Sequence, residues 1–338
     1  MRTAITGATG LLGANLAIEL LRAGHTVRAT RRASSDASHL EGIAIEWVDA
    51  GLDSLVRLAD AFRGADVVFH CAAQVGVTRR ATAAMTATNI DGTRHVLEAV
   101  KVAGVRRLVH CSTVACVALS SDGTPTGEDA EYNFDVRGMA DGYGRTKREG
   151  ERLVHEAAQA GLDAVIASPS YMFGPYDVRP SSGQLIVDIV RGKVPGLTRG
   201  KNNFVDVRDV ARGMILVAER GRRGERYILG GENMTYAEVT QRIARVAGVG
   251  APTWYVPRAI AAPAGWVGDL REALGGTPLI TSVTLAFAYC PDFVFSSDKA
   301  RRELGYTTGP VDDAIRDAVA WFRERGLLRA PLADARYP

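Results

Sequence analysis

The sequence predicts an α/β fold: a Rossmann-type, doubly wound parallel sheet with a smaller, interleaved C-terminal substrate lobe. Three observations predict it. Short β-branched runs alternate with amphipathic helical patterns through the first half of the chain. Gly24, Gly64, Gly104 and Gly161 each follow one of those helices, where an unhindered residue can take the left-handed conformation that ends a helix. Three further glycines, Gly7, Gly10 and Gly13, fall between the first run and the first helix. Strand, helix, glycine, strand, repeated this regularly, builds βαβ units and a sheet covered on both faces.

In order, residues 3–6 read as a strand and 11–23 as the helix after it. Strands follow at 26–30, 43–48, 66–71, 107–111 and 164–168, with helices at 52–62, 84–103 and 144–160 between them. After Pro169 the rhythm changes, because Pro169, Gly174, Pro175, Pro180 and Gly183 interrupt any regular pattern. A helix at 184–191 and a short segment at 203–207 come next. A helix at 209–219 and a strand at 227–229 are suited to return to the main sheet. The tail is expected to hold three more helices, near 236–247, 259–274 and 312–325. The expected division is a first domain over 1–170, with returning elements near 204–230, and a smaller lobe over 171–330. That lobe should close over the carboxyl edge of the sheet, where open α/β sheets bind ligands.

Bulk properties narrow the partners. The chain has 338 residues, 46% hydrophobic and 23% charged, ordinary values for a globular enzyme. A formal charge of +3, from 41 basic and 38 acidic residues, gives no reason to expect nucleic acid. Cys71, Cys111, Cys116 and Cys290 show no metal-ligand spacing, so free thiols, a cytoplasmic compartment and no metal are expected. Residues 1–6 run into the glycine loop without an apolar leader, and no apolar stretch is long enough to span a bilayer, so no membrane insertion is expected.

The glycine loop points to a dinucleotide. The first glycine permits a tight turn, the second lets backbone approach a pyrophosphate, and the third allows close packing of helix on strand. Free N–H groups at the helix start, reinforced by the helix dipole, then face the phosphates. The end of the second strand reads Arg28-Ala29-Thr30-Arg31-Arg32, with no acid until Asp36. A carboxylate there would favour NAD by bonding the ribose 2′-OH. Arg31 and Arg32 instead suit the 2′-phosphate of NADP. NAD remains the alternative.

Tyr143 and Lys147, four residues apart at the start of a helix, share one face. A phenol titrates near pH 10, and an adjacent ammonium is expected to lower that value enough for acid–base work. A hydroxyl from another strand end should hold the substrate oxygen, and Ser112 and Thr113 both stand there.

Jointly these residues resemble the extended branch of the short-chain dehydrogenase/reductase superfamily, over nearly the whole chain. Thr6 to Gly13 resembles its TGxxGxxG loop, His70-Cys71-Ala72-Ala73 its H-x-A-A segment, Asn89 its helix asparagine and Tyr143/Lys147 its YxxxK. Residues 168–175 are similar to its segment facing the nicotinamide, and 295–306 to its C-terminal signature. Within the branch, the nearest resemblance is to dihydroflavonol-reductase-like proteins and to the hopanoid-associated sugar epimerase group. The resemblance places Thr113 at the catalytic hydroxyl, with Ser112 as the alternative. It implies cofactor contacts from Thr6, Gly7, Thr9, Gly10, Leu11, Leu12, Gly13, Arg31, Arg32 and Asp49. It adds His70, Ala72, Ala73, Asn89, Ser112, Tyr143, Lys147, Pro169, Ser170 and Met172. For a small-molecule substrate it implies Gln74, Tyr171, Asp206 and Arg208, and for assembly a homodimer paired through the YxxxK helix.

Relatives that bind nucleotide sugars usually carry two phosphate-clamping arginines. Here Asn202 occupies one such position and Tyr289 and Cys290 the other, although Arg199 or Lys201 lie near enough to substitute. The leading expectation is therefore an NADP(H)-dependent reductase or dehydrogenase. The alternative is an NAD-dependent nucleotide-sugar 4-epimerase, and a non-enzymatic cofactor sensor is the third reading.

Overall fold

The computed structural model describes residues 1–276 and 280–328; residues 329–330, the expected end of the second lobe, lie outside this range. The main sheet contains β1 (Arg2–Thr6), β2 (Thr26–Arg31), β3 (Ile45–Asp49), β4 (Val67–His70), β5 (Arg107–Cys111), β6 (Ala164–Pro169) and β9 (Arg226–Leu229). Its order is β3-β2-β1-β4-β5-β6-β9, with every pairing parallel. The order reverses between β1 and β4, which opens a crevice at the carboxyl ends of those strands.

One face is covered by α1 (Leu11–Arg22) and α7 (Val207–Arg220). The other is covered by α2 (Leu55–Phe62), α4 (Gly92–Val102) and α5 (Gly142–Gln159). Gly24, Gly64, Gly104 and Gly161 all have positive φ, as their positions after helices require. The long helix expected at 84–103 is not uniform. It opens as the short α3 (Ala83–Met85), passes through a π-helical turn at Thr86–Asp91 and continues as α4. That turn holds Asn89, and π-turns of this kind recur at functional sites.

A second sheet, β10-β8-β7, is built from β7 (Tyr171–Phe173), β8 (Lys201–Asp206) and β10 (Glu232–Thr235). With α6 (Gln184–Val190), α8 (Tyr236–Ala247) and α12 (Val311–Glu324) it encloses a separate core around Phe173, Phe204, Ile243 and Phe322. The helix and strand that return to the main sheet are α7 and β9, whereas β8 joins the second sheet.

Among the described residues the tail holds five helices rather than three, since α10 (Ser282–Tyr289) and α11 (Asp298–Leu304) join α8, α9 (Arg258–Ala273) and α12. Both extra helices are short. The composition of α10, with Val283, Thr284, Phe287 and Tyr289, favours strand over helix. A reciprocal cap between Thr281 and Thr284 starts it nonetheless.

Candidate active site

The site lies where β1, β4, β5 and β6 end. In the loop after β1, Gly10 N donates to Gly7 O at 3.1 Å and Ala14 N to Gly10 O at 2.9 Å. The three glycines are there for different reasons. Gly7 has φ +78°, and a Cβ on it would stand 2.6 Å from Ala72 N. A Cβ on Gly13 would overlap the Gly7 carbonyl and stand 2.8 Å from Ala8 Cα. Gly10, by contrast, is exposed, and its Cβ would meet only Gly7 O at 3.5 Å. The protein's own packing leaves room for a side chain at Gly10; bare backbone at a helix start instead suits the close approach of an anion. Leu11 and Leu12 are buried beneath this turn, and Thr9 is half-buried on it.

A buried hydrogen-bond chain ties the strand ends together. Thr6 Oγ1 lies 2.7 Å from His70 Nδ1, His70 Nε2 lies 3.1 Å from Thr93 Oγ1, and Thr93 Oγ1 donates to Asn89 O at 2.7 Å. Because Thr93 spends its proton on Asn89, His70 must donate from Nε2 and accept at Nδ1, which is a neutral imidazole. Burial, and then the Lys147 charge, hold His70 down at about 3. His110 is likewise held low by burial, with its ring centroid 5.3 Å from that of His70. Neither histidine has the protonation behaviour of a base at neutral pH. Asn89, 1% exposed, braces Gln74 through both of its backbone groups and reaches Thr146 Oγ1 at 3.0 Å. It therefore connects the segment after β4 to the helix bearing Tyr143. Ala72 and Ala73 are half-buried on that segment, and the Gln74 side chain is exposed.

Asp141 starts α5 by accepting from Gly144 N at 2.8 Å. Tyr143 is half-buried and Lys147 fully buried, one turn apart on α5. The lowering of the phenol by Lys147 expected from their spacing is not observed. Burial pushes the Tyr143 phenol well up, the Cys111, Cys116 and Asp141 side chains add to this, and hydrogen bonding by Thr113 opposes it. The Lys147 ammonium is directed instead to Cys111 O at 2.6 Å.

The two hydroxyl alternatives separate. Ser112 is 3% exposed and donates to Glu151, which also pairs with Arg226 of β9. Thr113 is half-buried, and its Oγ1 accepts from Ala115 N at 3.3 Å on the Tyr143 side. Glu151 did not figure among the sequence expectations. Its position four residues after Lys147, on the same helix face, is the signal that could have found it.

The ends of β2 and β3 add an acid where the linear sequence shows none. Strand register sets Arg31 beside Asp49, and Arg31 Nε donates to Asp49 Oδ1 at 3.1 Å. The Arg31 guanidinium also lies 5.5 Å above the Trp47 ring centre. The ion pair is solvent-exposed and is worth about 0–1 kcal/mol, so it can release Arg31 to a stronger partner. Arg32 is exposed and makes no ion pair among the described residues.

On the lobe side, Ser168 and Ser170 have buried hydroxyls with no partner among the described residues, beside buried Pro169 and half-buried Met172. Such orphaned donors, with the open Gly10 cradle, fit a bound dinucleotide. Tyr171 stacks into the lobe core and donates to Ser182 O at 3.2 Å. Asp206 caps α7 at Arg208 N and pairs with the Arg208 side chain at 2.6 Å, while Arg208 also reaches Asp317 of α12 at 2.6 Å. Both are thus engaged in holding α7 to α12. Among the described residues no His/Cys/Asp/Glu cluster could hold a metal ion, and no helix is long and apolar enough to cross a membrane. All four cysteines are free.

A model described as the NAD dependent epimerase/dehydratase family matches residues 3–230. The chain belongs to this family. Its relatives include "Putative dihydroflavonol 4-reductase" of Synechocystis, 33% identical over 96% of this chain and 95% of that protein. "Sterol demethylase protein B" of Methylococcus capsulatus is 34% identical over 97% of this chain and 100% of that protein. The crystal structure of gox2253 superposes with a TM-score of 0.85 at 35% identity, covering 97% of this chain and 99% of the other. The resemblance read from the motifs is therefore correct: this epimerase/dehydratase family member is an NAD(P)-dependent enzyme of the short-chain dehydrogenase/reductase type.

A pH effect follows from the helix cap. Burial lifts the Asp141 carboxyl to about 6, above its ordinary value of 3.8. A raised folded-state value means a contribution to stability that is full below 3.8 and lost as pH rises through about 6. Asp141→Asn keeps an acceptor for Gly144 N and removes the buried charge. Its melting temperature should exceed that of the unaltered protein by a few degrees at pH 7.5 and approach it at pH 4. A variant that melted lower at pH 7.5 would count against this.

Proposed function

We propose that this family member is an NADP(H)-dependent oxidoreductase acting on a carbonyl or alcohol carbon of an apolar small molecule. The observation that supports the reading is the placing of the glycine turn after β1 and of Thr113 after β5 at one sheet edge, with Lys147 of α5 reaching Cys111 O at 2.6 Å and Tyr143 one turn before it. A dinucleotide held by that turn would supply or accept the hydride through its nicotinamide. Thr6 to Gly13 would hold its phosphates, Arg32 its 2′-phosphate with Arg31 released from Asp49, and Ser170 and Met172 the nicotinamide end. The chain's own residues move the proton. A phenol raised by burial stays protonated at neutral pH, so Tyr143 is set to donate to a reduced oxygen. Thr113 would hold the same oxygen, while Ser112 is committed to Glu151. Lys147 would bind the cofactor ribose.

The reductase relative supports this direction, and the sterol-related one supports an apolar substrate. The positions where a nucleotide-sugar epimerase needs arginines are otherwise occupied. Asn202 Nδ2 donates to Tyr236 OH at 3.0 Å, and Tyr289 OH to Val256 O at 2.8 Å. In the same reading residues 1–170 form the cofactor domain and 171–330 the substrate lobe. The four free thiols fit a reducing cytoplasm, and a homodimer follows from the family resemblance alone.

Arg32→Ala tests the cofactor. A charge-assisted contact contributes about 1.5–3 kcal/mol, so the Kd for NADPH should rise about tenfold or more while that for NADH stays within about twofold. Equal losses for both cofactors, measured by fluorescence titration, would remove Arg32 from the 2′-phosphate site.

A further inference from the structure

Helix α9 has its polarity reversed. The side that packs on α10 and the body of the protein carries Gly265, Gly268, Asp269 and Glu272, all buried or half-buried. The opposite side presents Ile260 (66% exposed), Trp266 (67%), Val267 (68%), Leu270 (63%) and Leu274 (80%) to solvent. An ordinary surface helix does the opposite, with apolar residues inward. Trp254, just before the helix, is also 52% exposed. We propose that this face of α9 docks the protein on the surface of an anionic phospholipid bilayer.

Charge separation on the same helix selects that occupant. Its two acids are tied inward by Arg79: the guanidinium reaches Asp269 Oδ2 at 3.2 Å, and Arg79 N donates to Glu272 Oε1 at 2.9 Å. Its two cations, Arg258 and Arg271, are exposed. Exposed apolar side chains with a tryptophan, an exposed arginine towards each end of the helix and both acids turned inward are what the headgroup boundary of an anionic membrane accepts. A second copy of the chain is the alternative occupant, which the oligomeric state of the variants below separates from a lipid surface. At 16 residues, α9 is too short to span and lies in the plane of the surface.

The location matters for the site. Arg79 belongs to a segment whose Thr78 O accepts from Gly142 N at 2.7 Å, one residue before Tyr143. Val75 (55% exposed) and Val77 (44%), on the same segment, add to the apolar surface there. Docked this way, an apolar substrate would reach Tyr143 from the bilayer side. This last step rests on the oxidoreductase reading, whereas the docking itself does not.

The test uses the full chain and no turnover. The protein is sedimented with vesicles of phosphatidylcholine alone and with a quarter of the lipid replaced by phosphatidylglycerol. It should pellet with the anionic vesicles, with partition at least tenfold weaker on the neutral ones, and Trp fluorescence should shift to the blue on binding. Val267→Glu combined with Leu270→Glu alters only exposed side chains, so it should keep its melting temperature and lose at least tenfold in partition. Arg258→Gln and Arg271→Gln should each weaken anionic binding about fivefold. Protein left in the supernatant with both vesicles would overturn the proposal, as would a double-glutamate variant that pellets like the unaltered chain. A dimer that the double-glutamate change makes monomeric, without any vesicle binding, would assign the face to a second copy instead.

Discussion

Tyr143→Phe is expected to lower turnover by about 10²–10⁴-fold, the usual share of a positioned acid–base group, while leaving the cofactor bound. The variant removes one oxygen from a half-buried ring on α5 and keeps its packing. Cofactor affinity, read by NADPH fluorescence, should change by less than about threefold, since the loop of Gly7, Gly10 and Gly13 and the Lys147 side chain are untouched. Turnover within twofold of the unaltered protein would remove Tyr143 from the chemistry. A large loss of cofactor affinity would make it a binding residue instead.

Gly13→Ala should damage both stability and cofactor binding. Its Cβ would overlap Gly7 O and stand 2.7 Å from Gly7 C and 2.8 Å from Ala8 Cα, all backbone atoms that cannot rotate away. Either α1 lifts from β1 or the turn opens, and overpacking of this kind costs about 1–3 kcal/mol. The melting temperature should fall by several degrees and the cofactor Kd rise at least tenfold. Gly10→Ala is the control. Its Cβ finds ordinary space at 3.5 Å from Gly7 O, so the fold should keep its stability while cofactor affinity falls. If Gly10→Ala left affinity unchanged, the open face of the turn would not be where the phosphates lie.

Much of this was legible from residue order because it is local. The left-handed glycines end their helices wherever they stand, so Gly24, Gly64, Gly104 and Gly161 mark the βαβ rhythm without any tertiary information. Tyr143 and Lys147 share a face through helix geometry alone. What stayed hidden depends on contacts between distant segments. Asp49 comes beside Arg31 only through the register of β2 and β3, eighteen residues apart in sequence. Ser112 donates to Glu151, which pairs with Arg226, and the two come from two other elements. The lowering expected for the Tyr143 phenol failed because spacing reports neighbours and not burial, and burial dominates here. The short strands β7 and β10 and the helices α10 and α11 carry too few residues for a periodic signal. The periodicity of α9 is readable, but which face meets water is decided by its packing on α10.

The most direct test of the oxidoreductase reading is an isotope experiment. The purified protein is incubated with NADPH deuterated at nicotinamide C4 and a panel of apolar ketones of increasing size. The reading predicts an alcohol one mass unit heavier, formed in step with cofactor consumed, and about 10²–10⁴-fold less of it with Tyr143→Phe. Interconversion of nucleotide-sugar epimers with no net loss of cofactor, and no deuterium in any alcohol, would contradict it.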